Sequence, residues 1–173
     1  SLTVLEDIYL PYRPKRRTRA MVAKEKGLEP LAKLLFLQEI GTDPLQEAVL
    51  FVNEEKGVET AEDALAGARD IIAEWVNEDV EGRKAMRALF LREGILQSKV
   101  ITGKEREAAN YSDYFDWQEI VARIPSHRAL AMFRGENEGL LKLAIRPSEE
   151  RALALLHRRF VKNNSAAAAH VAR

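Results

Sequence analysis

Between Thr60 and Trp75 the sequence specifies a helix both at its start and along its length, and no other feature constrains the fold as tightly. Thr60 stands three residues before Asp63, so its hydroxyl is placed to accept from the Asp63 amide while the Asp63 carboxylate bonds back. Acids at that end also suit the positive pole of the helix dipole. Ala64, Leu65, Ala68, Ile71, Ile72 and Trp75 then recur at three- and four-residue intervals. The alanines let neighbouring helices approach closely, so the stripe demands helical partners.

The flanking sequence supplies them. Thr18 is placed to cap a short helix ending at Gly27, and Glu29-Pro30 opens another, with proline in the first turn where its missing amide costs nothing. Leu31, Leu34, Leu35 and Phe36 make its apolar stripe and Gly41 is its expected stop. Asp43-Pro44 repeats the start signal, with Gln46 at capping-box spacing and Leu45, Ala48, Val49 and Val52 expected on one face. Ahead of all these, residues 2–9 read as a helix stopped by Pro11 and Pro14. Gly82 is expected to divide the long helix from one over 83–93, which carries Met86, Leu89 and Phe90 and ends at Gly94.

After Gly94 the texture changes. Ser98-Lys99-Val100-Ile101-Thr102 is β-branched and followed by Gly103, and Leu140-Leu141-Lys142-Leu143-Ala144-Ile145 ends before Pro147. The two are expected to pair. Between them lie the aromatic-rich residues 111–117, read as packing, and a helix over 126–134 capped by Ser126. Gly135 and Gly139 are assigned to positive-φ turns after that helix. A last helix spans 148–161, and the alanine-rich end can continue as helix but has little to bury, so fraying or dependence on further contacts is expected. The expected fold is mainly α, a multi-helical, bundle-like segment with a small two-stranded β element in its second half. Its regions are 1–97 (helical), 98–164 (smaller, α+β) and 165–173 (a tail).

The chain has 173 residues, 46% of them hydrophobic and 31% charged, which is a globular composition. No apolar run approaches the roughly 20 residues of a membrane span. There is no cysteine, so disulfides, thiolate metal sites and cysteine nucleophiles are excluded, and a cytoplasmic setting is expected. The first residues lack the pattern of a secretory signal, and an opening on Ser1 without an initiator methionine reads as a piece of something longer. Lysine and arginine number 27, as do aspartate and glutamate, so no global field draws the chain to nucleic acid. The local distribution differs. Every residue from 13 to 19 is basic except Pro14 and Thr18, whereas 54–81 is acidic with only Lys56 and Arg69 opposing.

The candidate site is therefore Tyr12, Arg13, Lys15, Arg16, Arg17 and Arg19, in the stretch Tyr9-Leu10-Pro11-Tyr12-Arg13-Pro14-Lys15-Arg16-Arg17-Thr18-Arg19. Cations beside aromatics on a proline-stiffened loop suit a phosphate backbone, with Tyr12 available to stack on a base. The competing assignment pairs these arginines with the acidic helix that starts at Thr60, or with a further domain, and gives them a packing role only. No catalytic constellation is found. Ser126, His127 and Arg128 are adjacent on a helix start and lack a third orienting group, His157 and His170 have no partner at ligand spacing, and Asp113 and Asp116 have no phosphate loop beside them. Neither enzymatic activity, nor a metal, nor a cofactor is expected.

Taken together, several stretches resemble the Tex transcription accessory family. They are residues 5–21 from Leu5-Glu6-Asp7-Ile8 to Arg19-Ala20-Met21, Lys26-Gly27-Leu28-Glu29-Pro30-Leu31-Ala32, and Gly67-Ala68-Arg69-Asp70-Ile71-Ile72-Ala73-Glu74. Tyr111-Ser112-Asp113-Tyr114-Phe115-Asp116 and Ile124-Pro125-Ser126-His127-Arg128-Ala129-Leu130-Ala131 follow, with Arg134-Gly135 and Glu138-Gly139. The similarity runs nearly to Phe160. It implies cytoplasmic bacterial proteins related to a eukaryotic transcription elongation factor, with helical amino-terminal modules that include a helix-turn-helix-like element. The family's RNase H-like domain, helix-hairpin-helix modules and OB-type RNA-binding domain are not recognisable in these residues. The implied partners are RNA or DNA, the remaining domains of the same protein and the transcription machinery, with no membrane. The alternative is a protein-interaction and packing module without nucleic-acid contact of its own.

Overall fold

The structure is a computed structural model and describes residues 17–173. The helix expected over 2–9, with Tyr12, Arg13, Lys15 and Arg16, lies outside the described residues. Within them the chain is mainly helical. The order is α1 (Arg19–Glu25), α2 (Glu29–Leu37), α3 (Pro44–Val49), α4 (Ala61–Glu78), α5 (Val80–Glu93), β1 (Ile95–Val100), β2 (Asp116–Ile120), α6 (Ser126–Asn137), β3 (Leu141–Arg146), α7 (Glu149–Phe160) and α8 (Ala166–Ala172). The chain divides into two compact units, 1–83 with 156–173, and 84–155.

In the first unit α4 is the central helix. Its capping box forms as its sequence requires: the Asp63 amide donates to the Thr60 hydroxyl at 3.1 Å and the Thr60 amide donates to the Asp63 carboxylate at 3.0 Å. Ala64, Leu65, Ala68, Ile71 and Ile72 are buried, and α1, α2 and α3 pack on that face. Leu28, Leu31 and Leu35 fill the space between α2 and α4, each about 1.5–3 kcal/mol of burial. Phe36 meets Trp75 edge-on, ring centroids 5.6 Å apart. Gly67 lets Leu28 in: a β-carbon there would run into Leu28 Cδ1 and lie 3.3 Å from the Ala23 methyl.

Several ends differ from the sequence expectation. Helix α2 stops at Gln38 rather than Gly41. Gln38 adopts the left-handed conformation (φ 59°, ψ 39°) and is 1% exposed. Its amide donates to the Phe160 carbonyl and accepts from the Lys162 amide, both at 2.8 Å, while its own carbonyl accepts from Asn163 Nδ2 at 2.8 Å. These bonds to residues 160–163 hold a conformation that a glycine would otherwise be needed to reach. The break after α4 falls at Asp79, whose carboxylate caps α5 by accepting from the Gly82 amide at 2.6 Å, so Gly82 lies inside the next helix. Helix α3 buries Pro44 and Ala48, whereas Leu45, Val49 and Val52, expected on the same face as Ala48, are exposed. The alanine-rich end continues as helix and has more to bury than its sequence suggests. Ser165 caps α8, and Ala167 and Ala168 are buried against α2 and α4, where only a methyl fits between close backbones.

The second unit contains a three-stranded antiparallel sheet of order β2-β1-β3, not the expected two-stranded element. The expected pair is present, running from Ile95↔Arg146 to Val100↔Leu141. The added strand is β2, in register Ser98↔Trp117 and Leu96↔Glu119. Its Asp116 and Glu119 are poor strand formers, and backbone pairing to β1, with Trp117 and Ile120 favouring a strand, outweighs them. Ser98, fully buried, donates its hydroxyl to the Tyr114 carbonyl at 2.8 Å. Helix α6 packs on β3 and runs to Asn137, three residues past the expected end. Its N-cap is Pro125, and Ser126 sits inside the helix without capping it. Gly139 turns with φ 69°, as expected, but Gly135 is helical and buried, with Leu141 Cδ1 2.7 Å from where a β-carbon would stand.

Candidate nucleic-acid interface

The described part of the basic stretch is Arg17, Thr18 and Arg19, and its position is set by α1. Thr18 is extended (φ −92°, ψ 161°), and its hydroxyl accepts from the Met21 amide at 3.1 Å, which starts the helix. The same hydroxyl donates to Glu74 Oε1 at 3.2 Å, and Lys24 reaches Glu74 Oε2 at 2.5 Å. The Glu74 side chain is only 11% exposed. A carboxylate that far from water needs donors, and the two from α1 tie that helix to α4 where the basic stretch ends.

Arg17 and Arg19 are held more loosely. Arg17 meets Glu25 at 2.8 Å with both side chains well exposed. Arg19 Nε stands 3.5 Å from Asp70 Oδ1 and the arginine is 88% exposed. Pairs of this kind contribute about 0–1 kcal/mol and leave the guanidinium accessible. The acidic helix thus lies close to Arg19, as the packing alternative requires. Other acids on it are engaged elsewhere: Glu62 accepts from Arg69 at 2.9 Å, and Asp63 serves the cap. The Arg69 hydrogen bond, against a desolvation cost, holds the Glu62 carboxyl below its usual range.

Two further cations flank the turns beside α1. Lys26 donates to the Gly57 carbonyl at 2.6 Å, and the Lys56 ammonium stands 3.7 Å from where a Gly27 β-carbon would be. Sequence reasoning passed over both, because a lysine after a short helix reads as a partner of the helix dipole and a lone lysine in an acidic run carries no pattern. Tyr12, Arg13, Lys15 and Arg16 lie outside the described residues, so Arg17 and Arg19 are the candidate residues with a described position.

In the second unit, Arg128 is occupied. It donates to Glu119 Oε2 at 2.6 Å and stacks 5.0 Å from the Trp117 ring centre, while Trp117 Nε1 donates to the same carboxylate at 3.3 Å. Tyr114 meets Trp117 edge-on, so these aromatics pack, as expected. Ser126 and His127 are both exposed at the start of α6. Among the described residues no three His, Asp or Glu are grouped to hold a metal, and no helix is long and apolar enough to cross a membrane.

Comparison with known proteins locates the chain among relatives. Residues 39–172 match a family model described as Tex central region-like. The chain is 49% identical over 145 residues to "Protein YhgF" of Escherichia coli (strain K12), covering 84% of this chain and 19% of that protein. It is 45% identical over 141 residues to "Protein tex" of Bordetella pertussis, covering 82% and 18%. To "Transcriptional accessory protein Tex" of Neisseria gonorrhoeae it is 46% identical over 144 residues, covering 83% and 19%. The chain therefore spans about a fifth of the length of these relatives.

Proposed function

This chain belongs to the Tex family, and we propose that it is a helical scaffold segment of a transcription accessory protein, contacting nucleic acid through the basic stretch 13–19. The observation that carries this reading is the exposure of Arg17 and Arg19 beside a helix several of whose acids have other partners. Cations presented in this way displace the counterions condensed on a phosphate backbone, a term that needs no base sequence. Tyr12 adds a stacking surface for a base. The name of the gonococcal relative supports a setting in transcription. The proposed role is cytoplasmic and non-enzymatic. RNA or DNA, the rest of the full-length protein and the transcription machinery are its partners, and α1 and α2, joined through Gly27, stand for the helix-turn-helix-like element that the resemblance implies.

One observation favours the packing module instead: Arg19 already faces Asp70, and Arg17 faces Glu25. The two readings part in a salt titration with labelled single- and double-stranded DNA and RNA. Binding through the stretch gives a logarithmic affinity that falls with logarithmic salt, by about 0.7–0.9 per phosphate contacted. Arg16→Ala with Arg17→Ala then lowers that slope by up to about 2 while the thermal melt is retained. Absent or salt-insensitive binding rejects the nucleic-acid role, and an unchanged affinity of the full-length protein after the double substitution supports the packing module.

A further inference from the structure

From Leu34 to Glu55 the chain carries no lysine or arginine, while Glu39, Asp43, Glu47, Glu54 and Glu55 are all acidic. In this segment Leu37, Ile40, Leu45, Val49 and Leu50 stand exposed, Ile40 at 88% and Leu50 at 77%. Scattered apolar side chains on a surface are ordinary, but a run of them across the end of one helix and the outer side of the next is not. Leu45 and Val49 stand one turn apart on α3, beside the buried Pro44 and Ala48, and Leu50 and Val52 extend the exposed apolar side past its end. Leu37 and Ile40 flank Gln38, which is buried and hydrogen-bonded to residues 160–163, so the connection between α2 and α3 is anchored at its start. The Asp43 cap fixes the start of α3, its carboxylate accepting from the Leu45 and Gln46 amides. A surface organised before binding costs little to order.

The charge around the stripe selects its occupant. Lys162 stands over the Phe36 ring at one edge, but the segment itself contributes only acids, which repel phosphate and favour a partner whose own apolar stripe is edged by lysine and arginine. A stripe at three- and four-residue spacing is also the form that an amphipathic helix matches by ridge-and-groove packing. We infer that the face formed by the end of α2 and the outer side of α3 docks a partner polypeptide as a basic amphipathic helix. The inference does not rest on the nucleic-acid reading.

The test uses the 173-residue chain and three synthetic helical peptides that share one leucine stripe, flanked by lysine and arginine, by glutamate, or by glutamine. Amide chemical-shift mapping and fluorescence anisotropy report the site and the affinity. The basic peptide is expected to bind with its largest shifts within 37–52, at least about ten-fold more tightly than the acidic one. Leu45→Gln with Val49→Gln should weaken it about ten-fold or more at an unchanged thermal midpoint, because both side chains are on the surface. Glu39→Gln with Glu47→Gln should weaken the basic peptide and leave the glutamine-flanked one as it was. Equal binding of the acidic and basic peptides, shifts centred elsewhere, no binding, or self-association of the chain that covers these residues would each overturn the inference.

Discussion

Gln38 ties together segments more than 120 residues apart in sequence, and its removal is a direct test of how the first unit is closed. Replacing it with methionine keeps the length of the side chain and removes both of its polar atoms. Two hydrogen bonds of 2.8 Å are lost, each worth about 1 kcal/mol net, and the Phe160 carbonyl and Lys162 amide remain at a part-buried site. Leaving those groups without partners raises the cost to about 2–4 kcal/mol. For a chain of this size that corresponds to a fall of roughly 5–15 °C in the thermal midpoint. Gln38→Asn separates two explanations. Asparagine tolerates the left-handed conformation better than glutamine, but its amide is one methylene too short to reach residues 160–162. If backbone conformation were what mattered, the asparagine variant would match or exceed the native protein. If the amide bridge matters, it loses nearly as much as Gln38→Met, and the Lys162 amide exchanges faster with solvent. An asparagine variant of native stability with unchanged Lys162 exchange refutes the argument.

Gly67→Ala should lower the thermal midpoint by about 1–2 kcal/mol equivalent, although alanine is the better helix former, because the new methyl meets fully buried Leu28; a midpoint at or above the native one counts against this packing. At His170, burial first and then Arg69 and Arg173 hold the pKa below its ordinary 6.5, against an opposing pull from Glu62, and Arg69 lies 3.1 Å from Nδ1. The folded chain therefore takes up this proton less readily than the unfolded one, so stability is full above 6.5 and declines as pH falls through it. With the intrinsic pH dependence of amide exchange divided out, the protection of the α8 amides should fall as pH drops below 6.5, and His170→Gln should flatten that dependence. Asp79 is held below its ordinary 3.8 by its hydrogen bonds from Arg159, with the Gly82 amide assisting against burial. Its contribution is present above 3.8 and is lost as pH falls through the lower folded value, so urea melts of Asp79→Asn should show a shallower acid limb than the native chain.

What could be read from the sequence follows a physical division. Most helix starts are written within four residues: Thr18, Asp43 and Thr60 cap by bonding to their own next turn and Pro30 sits in a first turn, each where it was expected, whereas Ser126 falls inside its helix. Helix ends and faces depend on what lies opposite. Gln38 ends α2 through bonds to residues 160–163, which no local pattern contains. Leu45 and Val49 satisfy the apolar period of α3 yet face outward, because a six-residue helix can bury only one side and Pro44 with Ala48 take it. The alanines of α8 look inert in a list of residues, and their value appears only when α2 and α4 come close enough to exclude anything larger. Strand β2 was hidden for a similar reason, since Asp116 and Glu119 disfavour a strand where Trp117 and Ile120 favour one, and the hydrogen bonds that decide it belong to the edge of β1.

The candidate site divides in the same way. The basic stretch is conspicuous because charge is a property of composition, and Arg17 and Arg19 are indeed on the surface. Nothing in the sequence marked Glu74 as the residue that anchors the end of that stretch, because it is one acid among many on α4 and its bonds cross 50 and 56 positions to Lys24 and Thr18. Local charge identifies what can meet a ligand, and long-range burial decides where it is held. Losing the Glu74 carboxylate would therefore disturb the candidate interface without removing a single cation from it, whereas losing Arg17 removes a cation and leaves the bonds from α1 to Glu74 in place. A substitution at each position, read against both nucleic-acid affinity and the exchange rate of the α1 amides, separates recognition from support.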